Sequence, residues 1–196
     1  MRFLTCLFFL LCSSATLAAN PEQLRAFGAG SSVKFYLFTS LGCSHCVTFH
    51  KQVLPELKRT YVDSGKAQLI IVDMLRGENS LTATQAVRCL EGKAAENLED
   101  DLYAYQSKWF NKQPEEARKI IFSYASKQGM TQNSFDACIS NKNLKKAILE
   151  QQVNLARLYD VNATPTLVMR EGAEVRKWMG SDRKAIMNGL REIFQK

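Results

Sequence analysis

Two cysteines, Cys43 and Cys46, are separated by two residues and stand between a strand-like segment and a helix-like segment. The apolar run over 33–39 predicts a buried strand, and a helical pattern begins at Val47. A strand that leads into a helix in this way places the first sulfur over the helix N-terminus. Unpaired amides and the positive end of the helix dipole favour thiolate over thiol there. Because the thiolate is the nucleophile in thiol–disulfide exchange, we interpret the two cysteines as a redox centre.

The first 19 residues have the pattern of a secretory signal peptide. Arg2 supplies a positive start, the run 3–12 is nearly all apolar, and small residues lead to a predicted cleavage after Ala18 or Ala19. An uncleaved N-terminal anchor is the alternative. No other stretch approaches the about 18 consecutive apolar residues of a membrane helix, so we expect a mature chain of one domain with no transmembrane segment.

Charge and cysteine content narrow the function classes. The formal net charge is +7, but the basic residues are scattered along predicted helices and mixed with acidic ones. Nucleic-acid-binding proteins more often carry a basic block or stripe, so we expect a soluble basic surface and no nucleic-acid partner. Four cysteines remain after the first 19 residues, and an even number in an exported chain indicates disulfides.

The order of predicted elements divides the rest of the chain into three parts. Residues 20–79 begin with an extended lead over 20–32 and continue as strand, helix and strand, a β-α-β unit whose helix is interrupted at Pro55. Residues 80–141 predict helices only, with strands absent from the pattern. Residues 142–196 return to mixed structure in the order α-β-β-α. The predicted helices of the second and third parts cover 81–89, 94–110, 115–128, 132–139 and 143–159, and Ser181 is expected to cap the last helix.

Two segments together resemble the DsbA-like branch of the thioredoxin superfamily. They are 38–46 (FTSLGCSHC) and 163–168 (ATPTLV). The resemblance implies an α/β thioredoxin fold with an inserted helical domain, and an exported enzyme that exchanges disulfides without a cofactor. The chain departs from the family at Ser44, where proline is the commonest residue, and at His50, where the best-known members carry a buried acid.

The resemblance also implies roles at the redox centre. Cys43 is expected to be the exposed attacking thiol and Cys46 the more buried resolving thiol. An imidazole at His45 would lower the pKa of the Cys43 thiol, or it is an ordinary loop residue. Two other interpretations of the motif are a static structural disulfide and a zinc site completed by His45 and His50. Structural zinc sites usually take a second ligand pair from a separate segment, which disfavours the latter.

The second segment is expected to face the redox centre. In the family, the proline corresponding to Pro165 is cis, and the residue before it, Thr164, would lie beside Cys43. Its hydroxyl would tune the thiolate, or Thr164 is simply a turn residue. His50 is expected on the inward side of the helix, either as a hydrogen-bonded core residue or as a proton relay to the buried thiol.

The other two cysteines, Cys89 and Cys138, both fall in the helical part. We predict a structural disulfide between them, with free buried thiols as the alternative. Four aromatic residues of the same part are interpreted as helix-packing residues rather than as a peptide groove: Tyr103, Tyr105, Trp109 and Phe110.

The sequence therefore predicts a monomeric periplasmic thiol:disulfide oxidoreductase. The favoured role is an oxidase that donates the Cys43–Cys46 disulfide to reduced exported proteins and is reoxidised by a DsbB-type membrane partner, as the resemblance implies. A disulfide isomerase or reductase acting on misoxidised proteins is the nearest alternative. Thr164 favours it, but the lead over 20–32 is short for the dimerisation domain of DsbC-type isomerases. A non-catalytic binding protein that keeps the fold is the alternative of another class.

Overall fold

The computed structural model describes residues 20–28 and 30–195. The predicted signal peptide, residues 1–19, lies outside the described residues. Five strands are β1 (Ala26–Phe27), β2 (Val33–Thr39), β3 (Gln68–Asp73), β4 (Thr166–Glu171) and β5 (Glu174–Met179). The α-helices are α1 (Ser44–Gln52), α2 (Leu54–Leu57), α3 (Glu78–Arg88), α4 (Gly92–Ala104), α5 (Gln106–Trp109), α6 (Pro114–Lys127), α7 (Gln132–Ile139), α8 (Lys142–Leu158) and α9 (Arg183–Phe194). Among the described residues, none of these helices is long and apolar enough to cross a membrane.

The strands form one sheet in the order β1-β3-β2-β4-β5. Strand β2 lies at the centre, parallel to β3 and antiparallel to β4, and its apolar residues are buried on both faces. The parallel β2–β3 pair requires a crossover, which is supplied by α1, α2 and the π-helical segment Lys58–Val62. The sheet thereby places the end of β2 and the start of β4 side by side, and both predicted site segments begin there.

The sheet and the helical block have separate hydrophobic cores. One core joins the sheet to α1, α2 and α9, and its largest fully buried residues include Phe35, Phe49 and Tyr61. The other joins α3, α4, α6 and α7 around Trp109. Cys43 and Cys46 belong to this second core, so the start of α1 packs against the helical block.

Several predicted elements differ from the observed ones. The lead over 20–32 is not wholly extended, because residues 21–22 form a turn; Ala26–Phe27 also pairs with β3 as a short antiparallel strand. The helix predicted over 94–110 is two helices that meet at Tyr105. Asp182, rather than Ser181, caps the last helix by accepting a hydrogen bond from the Ala185 amide at 3.0 Å. The predicted interruption at Pro55 comes two residues earlier, at Val53, directly after the end of α1.

Candidate active site

The turn between β2 and α1 holds the two cysteines of the motif. Cys43 occupies the N-cap position of α1 with an extended backbone (φ −111°, ψ 121°), and Cys46 lies in the first turn. The helix begins at Ser44, three residues before the predicted start. Both thiols are free, and their side chains are within hydrogen-bonding reach of each other. Cys46 is fully buried, as expected, but Cys43 is only 5 % exposed, because α5 and the loop before β4 cover it. The expectation of an openly exposed attacking thiol was wrong.

Thr164 lies against Cys43 from the other side of the turn. The Sγ atom of Cys43 donates a hydrogen bond to the Thr164 carbonyl oxygen at 3.4 Å. The peptide bond between Thr164 and Pro165 is cis. The structure thus brings the two segments that carried the family resemblance into direct contact.

The surroundings of Cys43 act on its ionisation in opposite directions. Burial, the largest influence, would raise the pKa of the Cys43 thiol, but the pKa lies below its ordinary value. Hydrogen bonds from the side chains of Thr164 and Cys46 and from the backbone amides of Cys46 and His45 outweigh burial, because they stabilise the thiolate. The start of α1 therefore stabilises negative charge on this sulfur.

His45 contributes to this site through its main chain. Its backbone amide donates to the Cys43 sulfur, while its side chain is exposed at the rim of the turn. Any residue except proline would supply this amide at position 45, and the effect of the imidazole on Cys43 stays a prediction.

Cys46 has the opposite character. Burial raises the pKa of Cys46 to about 11, although the Thr39 hydroxyl and the Ser40 backbone amide partly offset the effect. The Thr39 hydroxyl is also 2.7 Å from the hydroxyl of Tyr103 on α4. Burial raises the pKa of Tyr103 well above its usual value, so this phenol stays protonated and can donate to Thr39. The hydrogen of Thr39 is then available to the Cys46 sulfur.

His50 lies one turn after Cys46 at the edge of this network. Its Nε2 atom is 2.7 Å from the carboxylate of Asp100, and its ring lies 4.4 Å from the ring of Tyr103. It is partly buried and hydrogen-bonded, with a surface carboxylate as its partner. In the described part of the chain, no group of three or more His, Cys, Asp or Glu side chains could hold a metal ion.

Sequence reasoning missed the residues that surround Cys43 from the loop after β3 and from the helical block. Arg76, Gln106, Phe110 and Asn111 line a cavity of about 350 Å³ together with the cysteine turn. Phe110 was interpreted as helix packing, and its ring packs on Gly42 beside Cys43. No local pattern indicates these residues, because the fold of the insertion decides which of its side chains reach the turn.

Cys89 and Cys138 form a disulfide with a Cα–Cα distance of 6.2 Å. It joins the end of α3 to α7 inside the helical block and lies apart from the cysteine turn.

Proteins of known family are similar to this chain over most of its length. The family model described as Thioredoxin matches residues 26–178. A protein of Rickettsia conorii with the provisional name protein-disulfide oxidoreductase is 21% identical over 137 residues, which is 69% of this chain and 49% of that protein. A protein of Rickettsia bellii with the same provisional name is 23% identical over 156 residues, 77% of this chain and 60% of that protein. The chain thus spans about half of the length of these curated relatives.

Solved structures with the same architecture come from several bacteria. The crystal structure of Wolbachia pipientis alpha-DsbA1 matches with a TM-score of 0.78 at 20% identity, covering 91% of this chain and 94% of that one. The structure of oxidised BdbD from Bacillus subtilis matches with a TM-score of 0.67 at 18% identity, covering 87% and 92%. The chain belongs to the thioredoxin family, and its fold is DsbA-like, a thioredoxin fold with a helical insertion.

Proposed function

We propose that this chain is an exported thiol–disulfide oxidoreductase that works in the oxidising direction. The observation that carries the proposal is the opposite shift of the two thiols: the pKa of Cys43 is lowered, and that of Cys46 is raised to about 11. A stabilised thiolate favours the reduced dithiol and makes the corresponding disulfide a stronger oxidant. The provisional names of the Rickettsia relatives support the same class of activity.

The reaction begins with the Cys43–Cys46 disulfide. A substrate thiolate attacks the sulfur of Cys43, a mixed disulfide forms, and Cys46 leaves as a thiolate that takes up a proton because of its high pKa. A second substrate thiolate then attacks the substrate sulfur of the mixed disulfide, and Cys43 leaves as a thiolate. The substrate loses two electrons and gains a disulfide, while the protein gains the two electrons as its reduced dithiol.

The turnover cycle requires partners outside this chain. The reduced dithiol must pass its two electrons to an acceptor, for which we propose a DsbB-type membrane reoxidant. The substrates are reduced exported proteins. The protein acts as a monomer, and its compartment is the periplasm. The disulfide between Cys89 and Cys138 supports an oxidising compartment, since disulfides are rare in the reduced cytosol.

A disulfide isomerase or reductase is the second candidate. The side-chain hydrogen bond from Thr164 that lowers the pKa of Cys43 favours it, because a stabilised Cys43 thiolate is also a good leaving group when a misoxidised substrate is released from the mixed disulfide. The reduction potential separates the two roles. Equilibration with glutathione is expected to give a value well above about −270 mV, the potential of thioredoxin, and a value near that of thioredoxin would contradict the oxidase.

The direct test is oxidative refolding of a reduced, disulfide-dependent protein by the oxidised chain. The native protein is expected to restore the disulfides stoichiometrically, and Cys43→Ala is expected to be inactive. Cys46→Ala is first activated at Cys43 as its 2-thiopyridyl disulfide; a reduced single-cysteine substrate should then attack the Cys43 sulfur, release 2-thiopyridone and leave a stable mixed disulfide, which mass spectrometry would detect. Refolding that proceeds equally well with Cys43→Ala would exclude both enzymatic roles and leave a non-catalytic binding protein.

A further inference from the structure

A cavity of about 350 Å³ opens beside the sulfur of Cys43 and has two different walls. The first wall is the cysteine turn with Thr164. The second wall comes from the segment after β3 and from the end of the α4–α5 region, which contribute Arg76, Gln106, Phe110 and Asn111. A polypeptide bonded to Cys43 through one cysteine would place its neighbouring residues in this cavity, because an extended chain advances only about 3.3 Å per residue.

The second wall is held firmly against the cysteine turn. The Gln106 side-chain amide donates to the Leu41 carbonyl oxygen at 2.6 Å. The Phe110 ring packs so closely on Gly42 that a Cβ atom added there would overlap the ring. The Asn79 side-chain amide donates to the Phe110 carbonyl oxygen at 2.9 Å and fixes the chain just beyond α5. The cavity therefore exists before any substrate binds, which reduces the ordering cost of binding.

The charge of the cavity is positive. Arg76 is exposed, and its guanidinium has no carboxylate partner among the described residues, whereas Arg25 and Arg88 each pair with a carboxylate. His45 also lines the cavity, and none of the described lining residues is acidic. Arginine binds carboxylates through two parallel N–H donors, and the amide groups of Gln106 and Asn111 add further donors.

We propose that this cavity binds an Asp or Glu side chain next to the reacting cysteine of the substrate, with Arg76 as the specificity-determining residue. The inference rests on the proposed function and names its substrate class: exported proteins whose reactive cysteines lie beside acidic residues. Lysine beside the cysteine would face Arg76 and is disfavoured by like-charge repulsion.

The test uses peptides that differ only at the two residues flanking a single cysteine: Glu, Gln or Lys at both positions. Each peptide is activated as its 2-thiopyridyl disulfide and mixed with the Cys46→Ala variant. The Cys43 thiolate attacks the peptide sulfur, the mixed disulfide forms, and 2-thiopyridone leaves and is followed by its absorbance. Each rate constant is divided by the rate constant for the reaction of the same activated peptide with a small free thiol, since the charge of the peptide alone alters its reactivity.

At low ionic strength, the normalised rate is expected to be about tenfold higher for the Glu peptide than for the Lys peptide. The added substitution Arg76→Gln should reduce this ratio to within about twofold, and Arg76→Glu should reverse it. Arg59→Gln is the matched control, because it removes one exposed cation outside the cavity and should leave the ratio unchanged. Added salt should weaken the preference, since the interaction is partly solvent-exposed.

Equal normalised rates for the Glu and Lys peptides, or a preference that survives Arg76→Gln, would overturn the inference. Turnover is measured separately with two-cysteine versions of the same peptides and the native protein. A charge preference in the single-step reaction without any turnover would contradict the proposed oxidase and leave the cavity assignment intact.

Discussion

The Sγ atom of Cys43 and the carbonyl oxygen of Thr164 lie 3.4 Å apart, although 121 residues separate them along the chain. The sheet explains this proximity. Strand β2 ends just before the cysteine turn, β4 begins just after Pro165, and their antiparallel register pairs Phe38 with Thr166. The end of one central strand is therefore adjacent to the start of its neighbour, and the entire helical block is inserted between them without disturbing the contact.

Replacing Thr164 with valine removes the side-chain hydrogen bond that lowers the pKa of Cys43 while keeping the β-branched shape. The pKa should rise. At pH values below it, the thiolate fraction falls by about tenfold, and the more basic thiolate is about threefold more reactive. Alkylation of Cys43 should then slow by about threefold. Thr166→Val is the control, because that hydroxyl donates to the Ala163 carbonyl oxygen and should leave the pH profile unchanged.

Replacing Thr39 with valine removes the hydroxyl that offsets the effect of burial on Cys46. The pKa of Cys46 should rise above about 11, which makes it a poorer leaving group. Reduction of the Cys43–Cys46 disulfide by a small dithiol should slow by about threefold in stopped-flow measurements.

Tyr103→Phe provides the comparison for Thr39→Val. It keeps the Thr39 hydroxyl and removes only the phenol that bonds to it at 2.7 Å. Its effect on the reduction rate should have the same sign and be smaller. A larger effect of Tyr103→Phe would mean that the phenol, rather than Thr39, governs the charge on Cys46.

Removing the disulfide between Cys89 and Cys138 should reduce stability and leave the chemistry intact. The bond closes a loop with a sequence separation of 49, so in the chain-entropy model its loss costs about 4 kcal/mol. The double variant Cys89→Ala/Cys138→Ala should show that decrease in urea unfolding. Its Cys43 alkylation profile should match that of the native protein, and a shifted profile would mean that the helical block no longer covers the site.

The buried ion pair between Arg25 and Glu99 should make stability depend on pH. Burial would raise the pKa of Glu99, but Arg25, at 2.6 Å, holds it below its ordinary value of 4.5. A lowered folded-state pKa stabilises the fold above the unfolded-state value, and this contribution is lost as the pH falls through the folded-state pKa.

Glu99→Gln tests this dependence. Near neutral pH the variant should be less stable by about 3 kcal/mol, because it leaves the Arg25 charge buried and unpaired. Between pH of about 5 and about 3, its stability should fall less steeply than that of the native protein. If the free energy of unfolding, measured with urea, fell equally steeply with pH for the variant and the native protein, the assignment would be contradicted. The double variant Arg25→Met/Glu99→Met should recover part of the lost stability, since no buried charge remains.

The sequence predicted those features that depend on short segments. The apolar run over 33–39 indicated β2 with its observed bounds, and the helical pattern over 115–128 indicated α6 to within one residue at each end. Strand β1 has only two residues, and pairing with β3 alone makes it a strand, so no local pattern indicates it.

Contacts between the insertion and the rest of the chain could not be predicted from local patterns either, because they join residues that are distant in sequence. Tyr103 reaches Thr39 over a separation of 64 residues, and Gln106 reaches Leu41 over 65. The burial of Cys43 also depends on the packing of α5 against the turn, which explains why an exposed thiol was expected. The contact between Thr164 and Cys43 was predicted from the family resemblance, because the spacing of the two residues along the chain does not indicate it.

The central claim is that the start of α1 and Thr164 lower the pKa of the Cys43 thiol below its ordinary value, in spite of burial. Its most direct test is the rate of iodoacetamide alkylation of the reduced native protein as a function of pH, with modification of Cys43 resolved by peptide mass spectrometry. The account predicts that the rate reaches half of its maximum well below about 8.5, the pKa of an ordinary thiol. A midpoint at or above about 8.5 would contradict it.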